Sequence, residues 1–104
     1  MATTACDAIV LGGGIVGAAT AFGLARVGAR VVVFDEGDLA FRATRGNFGM
    51  VAVQGKGLGR PEYAAWTRRS ADVWPEFAAE LSERAGVDIG FERRGELRLC
   101  LSED

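Results

Sequence analysis

The sequence predicts an α/β fold in which a β-α-β unit is followed by a kinked amphipathic helix and a β-hairpin. Three observations predict it. Two short apolar runs flank an alanine-rich stretch, apolar residues then recur every three or four positions after Pro61, and apolar residues alternate with polar ones beyond Gly86. We expect two domains, residues 1–60 with the β-α-β unit and residues 61–104 with the helix and the hairpin.

The composition is that of a globular chain and argues against several classes of function. The 104 residues are 49% hydrophobic and 25% charged, and the net charge of −2 gives no basic field that would favour nucleic acid. Histidine is absent, and Cys6 and Cys100 lie in no metal-binding spacing, so we expect no metal site. The apolar run Ala8–Leu11 is too short for a signal peptide or a transmembrane segment, which favours a cytoplasmic location.

The first three elements form the β-α-β unit. Ala8–Leu11 and Val31–Phe34 are continuous apolar runs, which are typical of fully buried strands in a parallel sheet. The stretch Ile15–Val27 is rich in alanine and contains no proline, and Gly28 suits the left-handed position that ends a helix. A helix between two strands in this order predicts a right-handed crossover.

The second half of the chain predicts a helix and a hairpin. Residues 37–59 lack periodicity and predict a loop with one turn of helix and one short strand at Met50–Val53. Pro61 can open a helix, Pro75 should kink it and Gly86 should end it. The predicted apolar stripe of this helix consists of Tyr63, Trp66, Ser70, Val73 or Trp74, Phe77 and Leu81. The alternating segment Val87–Leu101, with a turn near Gly95, predicts a β-hairpin with one buried face.

The most informative motif lies between the first strand and the first helix. Gly12, Gly14 and Gly17 have the spacing G-x-G-x-x-G, which in this context is typical of a Rossmann-like dinucleotide-binding turn. A side chain at Gly14 would block a pyrophosphate, and one at Gly17 would push the helix away from the strand. Ile15 and Val16 begin the helix, where unpaired N–H groups and the helix dipole favour phosphate.

A carboxylate follows the second strand, where a dinucleotide-binding unit binds a ribose. Asp35 comes directly after the apolar run and could accept hydrogen bonds from the ribose diol. It would repel a 2′-phosphate, which disfavours NADP. If the strand were shifted by one residue, Glu36 would take this role. The glycine spacing alone leaves NAD and FAD open.

The run Val10–Gly49 resembles the N-terminal part of the D-amino-acid oxidase-like FAD-dependent oxidoreductases. Thr44, Asn47 and Gly49 match the family's loop of the form Ala-Ser-x-x-Asn-x-Gly. The resemblance implies that this loop brings backbone amides and a hydroxyl group to the pyrophosphate and flavin side of FAD. Arg45 would be an additional cation there, as would Arg42. Asp35 takes the place of the family's glutamate.

The family includes glycine and sarcosine oxidases and D-amino-acid and hydroxyproline dehydrogenases. The resemblance implies oxidation of a C–N bond in an amino acid or secondary amine, with hydride transfer to FAD. Family members are several times longer, so we expect this chain to be an N-terminal portion whose missing domain comes from further sequence or from a partner protein.

Two other interpretations stay open. One is a catalytically inactive nucleotide-binding fragment or subunit that needs a partner chain, and the other is an NAD-binding module. The sequence identifies no catalytic residue. Arg93, Arg94 and Arg98 could reach a substrate carboxylate, but a solvated hairpin face explains them better.

Overall fold

The computed structural model describes residues 5–37, 43–97, 99 and 101, and the chain divides into two compact units, Met1–Gly49 and Met50–Asp104. The elements are β1 (Ala8–Leu11), α1 (Ile15–Arg26), β2 (Val31–Phe34), α2 (Ala43–Gly46) and α3 (Pro61–Ala85). This order confirms the predicted α/β arrangement, and both strands have their predicted bounds. The predicted domain division after residue 60 stays a prediction.

The first unit is a β-α-β unit with two parallel strands. Ala8 pairs with Val31 and Leu11 pairs with Phe34, so the strands are in register over their whole length. Helix α1 connects them and packs against both strands. The carboxyl ends of β1 and β2 therefore lie side by side, which is the edge where parallel sheets bind ligands.

Each strand is covered on one face only. In β1, Ala8 and Val10 are half-buried, whereas Ile9 is 59% and Leu11 is 82% exposed. The prediction of fully buried strands is therefore wrong for this structure. The physical reason is that a parallel sheet is buried only when helices cover both of its faces, and α1 covers one.

An ion pair joins the two strands at their amino ends. The Nε and Nη2 atoms of Arg30 donate to the two carboxylate oxygens of Asp7 at 3.1 and 3.0 Å, and the backbone N–H of Arg30 donates to Oδ2 at 2.9 Å. The backbone N–H of Asp7 donates to the carbonyl of Arg30 at 2.8 Å. These bonds start the parallel pairing at the edge opposite the glycine turn.

The second unit is built on α3. Pro61 occupies the first turn, and Gly86 ends the helix in the left-handed conformation with φ +68°. The helix passes through Pro75 without interruption, and the kink stays a prediction. Ala78, at 4% exposure, is the one buried hydrophobic residue in the described ranges. The more covered positions of α3 recur every three or four residues at Ala64, Thr67, Ala71, Trp74, Ala78 and Leu81.

This covered stripe differs from the predicted one in its first half. Trp66 is 67% exposed, and Tyr63 is also exposed, whereas small residues one position later are covered. The large aromatic rings project at the margin of the packed face, because the interior beneath the first turns of α3 has room only for alanine and threonine side chains. From Trp74 onward the predicted and observed stripes agree.

The predicted hairpin does not form in the described part of its segment. Residues 87–97, 99 and 101 contain no strand, and Leu97 and Leu99 are 97% and 84% exposed. Alternation predicts a strand only where a packing surface covers its apolar face, and an isolated two-stranded hairpin is at best marginally stable in water. The segment is instead anchored on α3 by Phe91, whose ring stacks on Trp74 at 5.8 Å between centroids.

The loop between the two larger helices has one of its two predicted elements. Helix α2 is the predicted single turn, but Met50–Val53 forms no strand. No helix in the described ranges is long and apolar enough to cross a membrane.

Candidate cofactor-binding site

An open cavity of about 630 Å³ lies at the carboxyl end of β1, within the first unit. It is formed where the glycine turn, the first turns of α1 and the single turn α2 meet. The residues that line it are Val10, Leu11, Gly12, Gly14, Ile15, Val16, Gly17, Thr20, Ala43, Thr44 and Asn47. Two stretches that are far apart in sequence, the glycine motif and the Thr44–Asn47 loop, thus form one site.

The glycine turn has backbone geometry that only glycine accommodates well. Gly12 has φ +104°, and its N–H donates to the carbonyl of Phe34 at 2.7 Å, which ties the turn to the end of β2. A Cβ atom at Gly17 would overlap the carbonyl oxygen of Gly12. The missing side chain at Gly17 therefore allows α1 to start directly against the turn.

The amino end of α1 directs several N–H groups into the cavity. Within the described ranges, the N–H groups of Gly14, Val16 and Gly17 donate to no protein acceptor. The expectation that the whole first turn is unpaired needs one correction, because the N–H of Ile15 donates to the hydroxyl oxygen of Thr44 at 3.0 Å. Three donors and the positive end of the helix dipole remain for an anion.

Asp35 faces the glycine turn. Its Oδ2 atom accepts a hydrogen bond from the N–H of Gly13 at 2.6 Å, and its Oδ1 atom accepts one from the N–H of Gly37 at 2.8 Å. The carboxylate is thus held at the end of β2, beside the cavity. Glu36, the alternative candidate, does not line the cavity formed by the described residues.

The loop that follows is held in shape by Asn47. Its side-chain nitrogen donates to the carbonyls of Ala43 and Thr44 at 3.1 and 2.6 Å, and its Oδ1 atom accepts from the N–H of Gly49 at 2.7 Å. Gly49 has φ +66°, a conformation that favours glycine. Asn47 therefore closes the end of α2 and keeps Thr44 at the amino end of α1.

The candidates from the sequence fall into two groups. Gly12, Gly14, Ile15, Val16, Gly17, Thr44 and Asn47 line the cavity. Among the described residues, Asp35, Glu36, Arg45 and Gly49 lie outside its lining, although Asp35 and Gly49 are bonded to residues beside it. Arg42 lies outside the described residues.

Sequence reasoning missed some residues of this site. Gly13 was the unspecified position of the glycine motif, yet its N–H binds Asp35. Thr20 lines the cavity one helical turn after Val16, and its hydroxyl donates to the Val16 carbonyl at 2.8 Å. The signal that could have found Thr20 is the four-residue spacing, which places both residues on one face of α1.

The arginines considered for a substrate carboxylate have other partners. Arg93 pairs with Asp72 at 3.3 Å, and Arg94 pairs with Glu92 at 2.6 Å. Arg98 lies outside the described residues. The described ranges also hold no cluster of His, Cys, Asp or Glu side chains that could bind a metal ion.

The geometry fits a dinucleotide cofactor. A pyrophosphate carries negative charge, and the N–H groups of Gly14, Val16 and Gly17 are the donors that would receive it at the positive end of α1. The cavity has room for it because none of these positions carries a charged side chain and two of them carry no side chain at all.

Known proteins share this sequence over most of its length. A family model described as FAD dependent oxidoreductase matches residues 7–104. One of the two kinds of opine oxidase chain in Rhizobium meliloti, named as a subunit of that enzyme, is 49% identical over 98 residues, which are 94% of this chain and 26% of that protein. Glycine oxidase of Geobacillus kaustophilus (strain HTA426) is 33% identical over 98 residues, with the same coverage of 94% and 26%. No solved structure matches the chain.

The chain spans 26% of the length of the curated relatives named above. The family that matches is FAD dependent, so the cofactor is FAD rather than NAD. Because the family model matches nearly every residue, from 7 to 104, this chain belongs to the FAD dependent oxidoreductase family.

Proposed function

We propose that this chain is the FAD-binding part of a flavin-dependent oxidoreductase that oxidises the C–N bond of an amino acid or a secondary amine. The observation that carries the proposal is the single cavity in which the N–H groups of the α1 amino end meet the Thr44 loop. The substrate class is supported by the names of the relatives, which are an opine oxidase subunit and a glycine oxidase.

In this proposal the chain's residues bind and orient the cofactor. The N–H groups of Gly14, Val16 and Gly17 receive the pyrophosphate, and Asp35 accepts hydrogen bonds from the adenosine ribose. The hydroxyl of Thr44 already accepts from Ile15, so its own proton is available to be donated to a phosphate oxygen. Asn47 holds that hydroxyl in place through the carbonyls of α2.

When bound, FAD supplies a hydride acceptor for the carbon that carries the substrate's nitrogen, and the resulting imine is hydrolysed. The chain's own contribution is to position the cofactor and to bury its charged pyrophosphate against fixed N–H dipoles. We assign no general base to the described residues, because the arginines near residue 93 are ion-paired and histidine is absent from the sequence.

Cofactor binding by the purified chain tests the proposal. Equilibrium dialysis against FAD and, separately, NAD should give stoichiometric binding of FAD and none of NAD. Gly14→Val should abolish FAD binding, because a Cβ at this position already lies 3.0 Å from the Thr44 hydroxyl and would block the phosphate. Gly23→Ala is the matched control, since a Cβ there meets no atom within 4 Å. Binding of NAD without FAD would contradict the proposal.

A second candidate is a nucleotide-binding subunit that is inactive without a partner chain. Two observations favour it: Leu11, Phe48 and Trp66 expose most of their apolar surface, and one relative is named as a subunit. Turnover separates the candidates. Reduction of a dye by the FAD-loaded chain with glycine, sarcosine, proline or a D-amino acid favours the enzyme, whereas FAD binding without dye reduction favours the subunit.

A further inference from the structure

Gly13 is the variable position of the glycine motif, and the motif's spacing gives it no role. We infer that Gly13 is a positioning residue that sets the Asp35 carboxylate for the ribose of the cofactor. The inference rests on the proposed function, because it concerns how the same site recognises the adenosine half of FAD.

Two contacts place the residues against each other. The N–H of Gly13 donates to Oδ2 of Asp35 at 2.6 Å, a short bond to a charged acceptor. The backbone of Gly13 also lies so close that an added Cβ would be 3.2 Å from the Cβ of Asp35 and 3.4 Å from its Cγ and Oδ2. Only a residue without a side chain leaves this approach unhindered.

The close contact falls on the rigid part of Asp35. Its Cβ is bonded directly to the backbone that follows β2, so it cannot turn away as the end of a long side chain would. A methyl group at position 13 must therefore displace the backbone after β2 or tilt the carboxylate. Oδ1 is held by the N–H of Gly37 at 2.8 Å, so tilting would break or lengthen one of the two bonds.

The two bonds define the direction of the carboxylate without consuming its capacity to bind. One bond is made at each oxygen, and each carboxylate oxygen can accept more than one hydrogen bond. A ribose diol can then be recognised by a carboxylate whose orientation is set before the ligand arrives, which reduces the entropy lost on binding. The short aspartate side chain and the bare Gly13 form a matched pair for this purpose.

Alanine at position 13 is a sound test because it demands no unusual backbone. Gly13 is absent from the glycines with positive φ, so the conformation is open to L-residues. We expect Gly13→Ala to keep the helix content of the wild type in circular dichroism. We expect its affinity for FAD to fall by about tenfold, since a hydrogen bond to a charged group contributes roughly that factor.

A double-mutant cycle assigns the loss to Asp35. FAD dissociation constants are measured for the wild type, Gly13→Ala, Asp35→Ala and the double variant, and binding of ADP is compared with that of 2′-deoxy-ADP. The double variant should bind FAD no more weakly than Asp35→Ala alone. The wild type should prefer ADP over the deoxy form, and Gly13→Ala should lose most of that preference. Gly23→Ala should behave as wild type in both measurements.

Different outcomes overturn different claims. Unchanged FAD affinity in Gly13→Ala, or losses that simply add in the double variant, would overturn the role of Gly13 and leave the proposed function standing. Retained preference for ADP in a weakened Gly13→Ala would do the same, because it would locate the loss away from the ribose. Failure of the wild type to bind FAD or ADP would instead overturn the proposed function.

Discussion

The hydroxyl oxygen of Thr44 accepts a hydrogen bond from the N–H of Ile15 at 3.0 Å, across 29 positions of the chain. This bond joins the loop after β2 to the first residue of α1. It satisfies one of the N–H groups that a helix leaves unpaired at its amino end. The glycine motif and the Thr44 loop therefore act as one structural unit at the carboxyl edge of the sheet.

Thr44→Val should weaken both the fold of the first unit and FAD binding. Removing the hydroxyl leaves the Ile15 N–H unpaired, and loss of such a helix cap costs about 1 kcal/mol. Urea unfolding and FAD titration measure the two effects. Thr67→Val is the matched control, because the Thr67 hydroxyl bonds only a carbonyl of its own helix, that of Ala64. Equal effects of the two substitutions would contradict a special role for Thr44.

Gly17→Ala should disrupt the first unit far more than an ordinary glycine-to-alanine change on the same helix. The added Cβ would overlap the carbonyl oxygen of Gly12, and either α1 or the turn must move. In Gly23→Ala nothing obstructs the methyl group, and helix propensity predicts a gain of roughly 0.5–1 kcal/mol. Thermal unfolding of both variants checks the prediction, and a Gly17→Ala protein as stable as wild type would refute the close packing.

Asp35→Ala should reduce the free energy of FAD binding by about 1–3 kcal/mol, which is the usual cost of leaving polar partners unpaired. Glu36→Ala should have little effect, since Asp35 rather than Glu36 is bonded to the glycine turn. Isothermal titration with FAD measures both. The reverse ranking would show that Glu36 binds the ribose and that the role shifts by one residue.

The ion pair between Asp7 and Arg30 should make stability depend on pH in the acid range. Hydrogen bonds from the Arg30 side chain and, less, from its backbone lower the pKa of Asp7 below its ordinary value of 3.8. A carboxylate with a lowered folded pKa stabilises the protein above its unfolded pKa and loses that contribution as pH falls through the folded pKa. Asp7→Asn should therefore be less stable than wild type at pH 7, and the difference should shrink below about pH 4.

Urea unfolding of both proteins from pH 7 to pH 3 measures this difference. Glu92→Gln is the control, because Glu92 pairs with Arg94 on an exposed segment and should change stability little at any pH. A gap between wild type and Asp7→Asn that stays constant down to pH 3 would count against the ion pair as its cause.

Phe91→Ala should destabilise the second unit. The Phe91 ring stacks on Trp74, which also meets Phe77 edge to face at 5.5 Å. Aromatic pairs contribute about 0.5–1.5 kcal/mol beyond the area that they bury. Urea unfolding followed by tryptophan fluorescence measures the loss. Leu99→Ala should change stability by less than about 0.5 kcal/mol, because the Leu99 side chain is largely exposed. Similar losses in both variants would contradict the anchoring role of Phe91.

Patterns within short stretches predicted the first unit well. The bounds of both strands were correct, and α1 ended one residue before the predicted end at Val27. Continuous apolar runs and a glycine turn are local signals, so they need no knowledge of the rest of the chain. The hairpin failed for the converse reason: the alternation from Val87 to Leu101 indicates a strand only if a surface covers its apolar face.

The sequence by itself determined the order of the elements in the first unit, the glycine turn and the class of cofactor, because these depend on residue types at short, fixed spacings. Only the tertiary structure decided that Asp35 binds the N–H of Gly13 and that Thr44 binds that of Ile15. These contacts join residues 22 and 29 positions apart. They depend on the parallel pairing that brings the ends of β1 and β2 together, and no local pattern of residues specifies which N–H group each side chain will meet.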